Sequence, residues 1–167
     1  EVYCYDTETG ELVWRQAVPA FPGTPETLPR VSQDTGYAAP TMALLGDRAC
    51  VIYATGDIAC FDFDGGLIWG RNLGVPENHY GHASSLIAYA GRVYVQLDDS
   101  KQPRLLALDA ATGEDVWIAE RKKISWASPA CAPTPFGFQL LLASEYDVDG
   151  YDPATGSLLW TQKGLDG

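Results

Sequence analysis

Four copies of one short pattern constrain this chain more than anything else in it. Ala107-Leu-Asp109-Ala-Ala-Thr112-Gly113-Glu-Asp-Val-Trp117 is matched by Cys4-Tyr-Asp6-Thr-Glu-Thr9-Gly10-Glu-Leu-Val-Trp14 and by Gly150-Tyr-Asp152-Pro-Ala-Thr155-Gly156-Ser-Leu-Leu-Trp160. A fourth copy, Cys60-Phe-Asp62-Phe-Asp-Gly65-Gly66-Leu-Ile-Trp69, is one residue shorter between Asp and Trp. The Trp-to-Trp intervals are 55, 48 and 43 residues (14 to 69, 69 to 117, 117 to 160). Repeats of that length built from short strands indicate propeller blades.

Each residue type in the pattern has a physical reason. The residues before Asp and after Gly form two strands, and the Thr-Gly turn between them makes a hairpin. Gly10, Gly66, Gly113 and Gly156 are expected to supply the positive φ of that turn. Asp6, Asp62, Asp109 and Asp152 are placed to accept hydrogen bonds from turn amides. Trp14, Trp69, Trp117 and Trp160 offer a large apolar surface for wedging between sheets and are expected to be mostly buried. A small residue at the first position leaves room for the ring. The fold class expected is all-β, a partial β-propeller without α-helix: an N-terminal half-blade (1–18), then full four-stranded antiparallel blades at 37–73, 83–121 and 126–163. Strand one of these blades is read as Tyr37–Leu45, as Ser84–Tyr89, and as a segment beginning at Trp126.

The pattern resembles the tryptophan-docking motif of the PQQ-like β-propellers, a group that includes the quinoprotein alcohol dehydrogenases and the BamB-type outer-membrane assembly lipoproteins. The resemblance covers essentially the whole chain. It implies that each Trp stacks between its own small residue and the turn glycine of a neighbouring blade, and it implies a periplasmic or extracellular, bacterial setting. The family's usual eight blades, at roughly 44 residues each, would need about 350 residues. Together with a start inside a motif at Glu1-Val-Tyr-Cys4, this favours a segment of a larger propeller, with pairing to a second copy as the other way to cover the end blades.

Composition narrows the partners. A net charge of −11 argues against nucleic acid and anionic membrane surfaces, and no apolar run is long enough to span a bilayer. Cys4, Cys50, Cys60 and Cys131 contain no C-x-x-C pair. Cys4 and Cys60 share the small-residue position of different repeats, so free packing thiols are expected.

Candidate chemistry is sparse. Aligned blade starts place Tyr37, His82 and Trp126 at one equivalent position at the inner ends of the first strands, where they are ligand-binding candidates at the channel mouth. Loop packing is the other reading of these three. His79 and His82 lack a third ligand, so no metal is expected. Asp147-Val-Asp149-Gly150-Tyr-Asp152 fails the calcium-loop pattern, which needs Gly sixth and Glu twelfth. No nucleophile elbow, P-loop or dinucleotide fingerprint is present, and no catalytic residue is assigned. The quinoprotein enzymes hold PQQ against a disulfide of adjacent cysteines and bind calcium with acidic and amide groups, whereas this chain has no Cys-Cys pair. The function expected is therefore non-catalytic recognition or scaffolding without a cofactor. A fragment of a PQQ- and calcium-dependent oxidoreductase is the alternative, and an extracellular sensor domain a third reading.

Overall fold

The computed structural model describes residues 1–164, and among these there is no α-helix. A two-stranded sheet pairs β1 (Val2–Tyr5) with β2 (Leu12–Gln16). Three antiparallel four-stranded sheets follow. The first holds β3 (Ala43–Leu45), β4 (Arg48–Ile52), β5 (Asp57–Asp62) and β6 (Leu67–Asn72). The second holds β7 (Ile87–Tyr89), β8 (Arg92–Leu97), β9 (Arg104–Asp109) and β10 (Asp115–Glu120). The third holds β11 (Ala130–Thr134), β12 (Gly137–Ser144), β13 (Asp147–Tyr151) and β14 (Leu158–Lys163). Each sheet is a meander in chain order, which makes the molecule a partial β-propeller of three blades and a half-blade.

The apolar core lies between sheets, so each blade is buried by its neighbours. Ile52, Cys60 and Trp69 of the first full blade pack with Leu86, Val95 and Leu108 of the second. Tyr94, Leu105 and Ala107 of the second pack with Leu140, Leu142 and Tyr151 of the third. The half-blade covers Val51, Ala59 and Phe61 with Val2 and Trp14.

The first strands are shorter than the sequence indicates. Just ahead of them, Thr41, Ser85, Leu86 and Ser128 bond across blades. The Thr41 amide donates to Ser85 Oγ at 3.0 Å, Leu86 N to the Thr41 carbonyl at 3.2 Å, and Ser85 N to Ser128 Oγ at 3.0 Å. These bonds use up amides ahead of β3 and β7. Pro133 lies within β11, an edge strand whose outer side needs no donor.

The cysteine expectation is corrected. Cys50 and Cys60 are disulfide-bonded, while Cys4 and Cys131 are free. The sequence comparison set Cys60 against its repeat equivalents in other blades, but its partner is the directly opposed residue of the adjacent strand in its own blade. Closing a ten-residue separation stabilises by about 3 kcal/mol in the chain-entropy account.

Candidate functional site

The repeated turns define what is scaffold. Asp6 Oδ1 accepts from Glu8 N at 3.0 Å and Thr9 N at 2.8 Å, and Asp109 Oδ1 from Ala111 N at 2.8 Å and Thr112 N at 3.0 Å. Asp152 Oδ1 accepts from Ala154 N at 2.7 Å. These amide bonds hold the Asp6 and Asp109 carboxyls below the ordinary aspartate range, because they favour the charged form. The shorter copy is braced differently: Asp62 Oδ1 takes Asp64 N at 3.0 Å and Gly66 N at 2.6 Å. There the positive φ falls on Gly65 (87°) and not on Gly66 as the alignment suggests, because losing one residue moves the left-handed position back by one.

Each Trp lies opposite the small residue of its own hairpin: Cys4–Trp14, Cys60–Trp69, Ala107–Trp117 and Gly150–Trp160. Three of the indoles then reach the next sheet. Trp14 Nε1 donates to the Phe63 carbonyl at 2.8 Å, Trp69 Nε1 to Ala110 at 2.9 Å, and Trp117 Nε1 to Pro153 at 3.2 Å. The acceptor is always the residue after the bracing Asp, and the ring covers that turn's glycine (Gly65, Gly113, Gly156). Burial is nevertheless uneven. Trp69 is 9% exposed, Trp14 and Trp117 are half-buried, and Trp160 is 38% exposed, short of the burial expected for it. Among the described residues no following sheet covers Trp160, which donates to Gln139 Oε1 of its own blade at 2.9 Å.

The three ligand candidates part company. His82 is 5% exposed and its Nε2 lies 3.1 Å from the Gly74 carbonyl; burial depresses its pKa, with the Gly74 bond and the Asp98 charge opposing. Its ring is a packed group and presents no face to solvent. Tyr37 and Trp126 are 45% and 51% exposed. Trp126 meets Tyr80 edge-on with centroids 4.9 Å apart, and Tyr80 meets His79 likewise at 4.8 Å. A row of three rings, Trp126–Tyr80–His79, therefore joins the segments that precede β7 and β11. The sequence signals Trp126 by its place outside the repeat; nothing marks Tyr80, which is set by an Asx turn in which Asn78 Oδ1 accepts from Tyr80 N at 2.9 Å.

A buried polar network fixes the backbone under that row. Asp98 and Arg121, 5% and 1% exposed at their side chains, form an ion pair at 2.8 Å. Asp98 Oδ1 also accepts from Ser125 N at 3.1 Å, while Oδ2 takes Gln96 Nε2 at 2.6 Å and Ser84 Oγ at 3.1 Å. Gln96 Nε2 further donates to the carbonyls of Ser125 at 2.9 Å and Ala127 at 3.1 Å, the two neighbours of Trp126. The indole is thus exposed while its main chain is clamped. The sequence signal for this clamp is faint: Gln96 is a polar residue interrupting the apolar run of β8, and Asp98 follows its end.

The one disulfide joins opposed residues buried within a sheet, and the described residues hold no cluster of three or more His, Cys, Asp or Glu able to ligate a metal.

An antiparallel propeller whose hairpins repeat an Asp-braced turn and a Trp that reaches the next blade defines the class of PQQ-like β-propellers. Residues 1–165 match the family described as outer membrane protein assembly factor BamB, and the chain belongs to that family. No curated protein matches it. Among solved structures it is similar to BamB from Moraxella catarrhalis (16% identity, TM-score 0.61, covering 75% of this chain and 38% of that one). It is also similar to a europium-containing methanol dehydrogenase (14%, TM-score 0.66, 98% and 38%). A third is the quinohemoprotein alcohol dehydrogenase ADHIIG from Pseudomonas putida HK5 (19%, TM-score 0.55, 76% and 22%). At these identities the likeness is one of fold, and this chain spans well under half the length of each.

Proposed function

We propose that the chain is a non-catalytic recognition and scaffold segment of a bacterial cell-envelope propeller, in which Trp14, Trp69, Trp117 and Trp160 are tryptophan-docking residues. In this reading Trp126, Tyr80 and Tyr37 are offered to a protein partner or small ligand. The observation that carries it is the combination at Trp126: a ring half exposed to solvent on a main chain pinned by a buried ion pair. Such pre-ordering lowers the entropy lost on binding, and exposed aromatic rings are favoured contact points. Membership of the BamB family supports the setting.

The second reading, a fragment of a quinoprotein oxidoreductase, draws on the match to a methanol dehydrogenase over 98% of this chain. Titration with PQQ and calcium separates the two. Recognition predicts no change in visible absorbance and no dye reduction with alcohols or sugars; a spectral change with turnover would favour the enzyme.

A further inference from the structure

The turn at residues 21–24 shows what the outer seam of a blade in this chain can hold. Thr24 N donates to the Phe21 carbonyl at 2.9 Å and Phe21 N to Thr24 Oγ1 at 2.8 Å, which closes a tight turn. The Thr24 hydroxyl donates in its place to Asp57 Oδ1, an acceptor that Asn72 Nδ2 also reaches at 2.7 Å. Gly23 lies against Asn72, and the Phe21 ring covers Gly70, where a Cβ would collide with it. The platform under the turn is one end of the β5–β6 pair, in which Asp57 opposes Asn72 and Ala59 opposes Gly70.

The second full blade builds the same platform without a turn on it. Arg104 opposes Glu120 and Leu106 opposes Ile118. Arg121 N donates to the Pro103 carbonyl at 2.8 Å, as Leu73 N does to Gly56 at 2.8 Å. Arg104, Glu120 and Ile118 thus stand where Asp57, Asn72 and Gly70 stand one blade earlier. The connector between these blades takes another path. Glu77 N donates to Asp99 Oδ2 at 2.8 Å, Ser100 N to the Glu77 carbonyl at 3.0 Å, and Asn78 Nδ2 to the Asp98 carbonyl, so residues 77–78 are tied to the loop ahead of β9. The result is an open cleft of about 500 Å³ lined by Arg104, Ile118 and Glu120. Ile118 is 48% exposed. Arg104 is half-buried, and among the described residues its side chain has no hydrogen bond or ion pair, Glu120 opposite it included. A guanidinium so placed is matched by a carboxylate, which it can take in a forked pair.

We propose that this cleft receives a turn of a partner protein, shaped like residues 21–24 but carrying a carboxylate where Thr24 carries its hydroxyl. Charge sets that choice. Asp57 accepts from a hydroxyl, whereas Arg104 in its place can only donate, so the occupant brings the acceptor. Glu120, in the place of Asn72, accepts from the backbone amides of the turn at the position of Gly23. Ile118 fills the space that Gly70 leaves to the Phe21 ring, so the partner has a small apolar residue there. The cleft is separate from the aromatic row and does not depend on it.

Titration of the isotope-labelled intact chain tests this with a blocked peptide, Pro-Ala-Ala-Pro-Gly-Asp-Pro, which copies residues 19–25 with Ala for Phe21 and Asp for Thr24. The Arg104 Nε–H and Ile118 amide resonances should shift and reach half-saturation at about 1 mM, the scale of a contact of a few residues. Arg104→Gln, with an unchanged circular dichroism spectrum, should weaken binding about tenfold or more, the worth of a charge-assisted hydrogen bond. The same peptide with Thr restored, and sodium acetate, which offers the carboxylate without the turn, should each bind about tenfold more weakly or worse. Absence of a saturable shift overturns the proposal, as does undiminished binding by Arg104→Gln or by the Thr peptide. Acetate binding as tightly as the Asp peptide would make the cleft a free-anion site and overturn it equally. Should Arg104→Gln fail to fold, the Asp and Thr peptides compared on wild type decide: equal affinity rejects the proposal, and a tenfold preference for Asp, on the order expected above, supports it.

Discussion

Gly113→Ala is expected to cost about 3–5 kcal/mol, as overpacking and backbone strain add, whereas Gly10→Ala should cost only about 1–2 kcal/mol, the strain alone. The two glycines occupy the same place in the repeat and have nearly the same φ, 75° and 72°. They differ in what faces them. At Gly113 the ring of Trp69 already lies against the Cα, and that ring is held by its bond to the Ala110 carbonyl and by a core that includes Ile52, Val95 and Leu108. It cannot back away without opening the seam between two blades. Gly10 faces open space. Urea denaturation of the two variants checks this, and equal losses would mean that indole seating contributes little.

Asp98→Ala should be among the most damaging single changes in the chain, at about 3–5 kcal/mol, because it leaves the Arg121 charge buried without a counter-ion. It also strands the Ser125 amide, which now bonds to the carboxylate. The Arg71–Asp115 pair has nearly the same separation, 2.9 Å, but its side chains are 37% and 38% exposed. Asp115→Ala should therefore cost less than about 1 kcal/mol. Replacing both buried partners, as Asp98→Ala with Arg121→Met, should recover part of the loss but not all, since the Ser125 amide stays without an acceptor. Thermal melts of the three variants check the order. The clamp predicts in addition that Asp98→Ala loosens the segment around Trp126, seen as faster amide exchange at Ser125 and Ala127 than in wild type.

The sequence carried the scaffold because the scaffold repeats. Asp6, Asp109 and Asp152 brace their turns as the pattern indicates, and the small residue opposite each Trp lies where the ring needs it. Where the repeat breaks, so does the inference: the shorter copy moved its left-handed residue from Gly66 to Gly65. Periodicity also says nothing about partners within one repeat, which is why the Cys50–Cys60 pair was invisible when Cys60 was set against its equivalents. The same blindness affects the site. Tyr37, His82 and Trp126 align, but only neighbours in space decide which ring faces water, and the Gly74 carbonyl holds the buried His82 ring. The ion pair beneath Trp126 joins residues 23 apart through two loops that carry no repeated signature. Equivalent position thus grouped the three residues without fixing which of their side chains is exposed.

Comparing the melting of Trp117→Ala and Trp126→Ala tests the central claim, that repeated aromatic residues build the propeller while the unrepeated one is presented by it. Trp117 bonds Pro153 and covers Gly156 across a blade seam, so its truncation should cost about 3 kcal/mol or more. Trp126 has one aromatic neighbour, Tyr80, and its loss should cost no more than about 1 kcal/mol. Equal destabilisation by the two would show that Trp126 is packing like the others and would contradict the account.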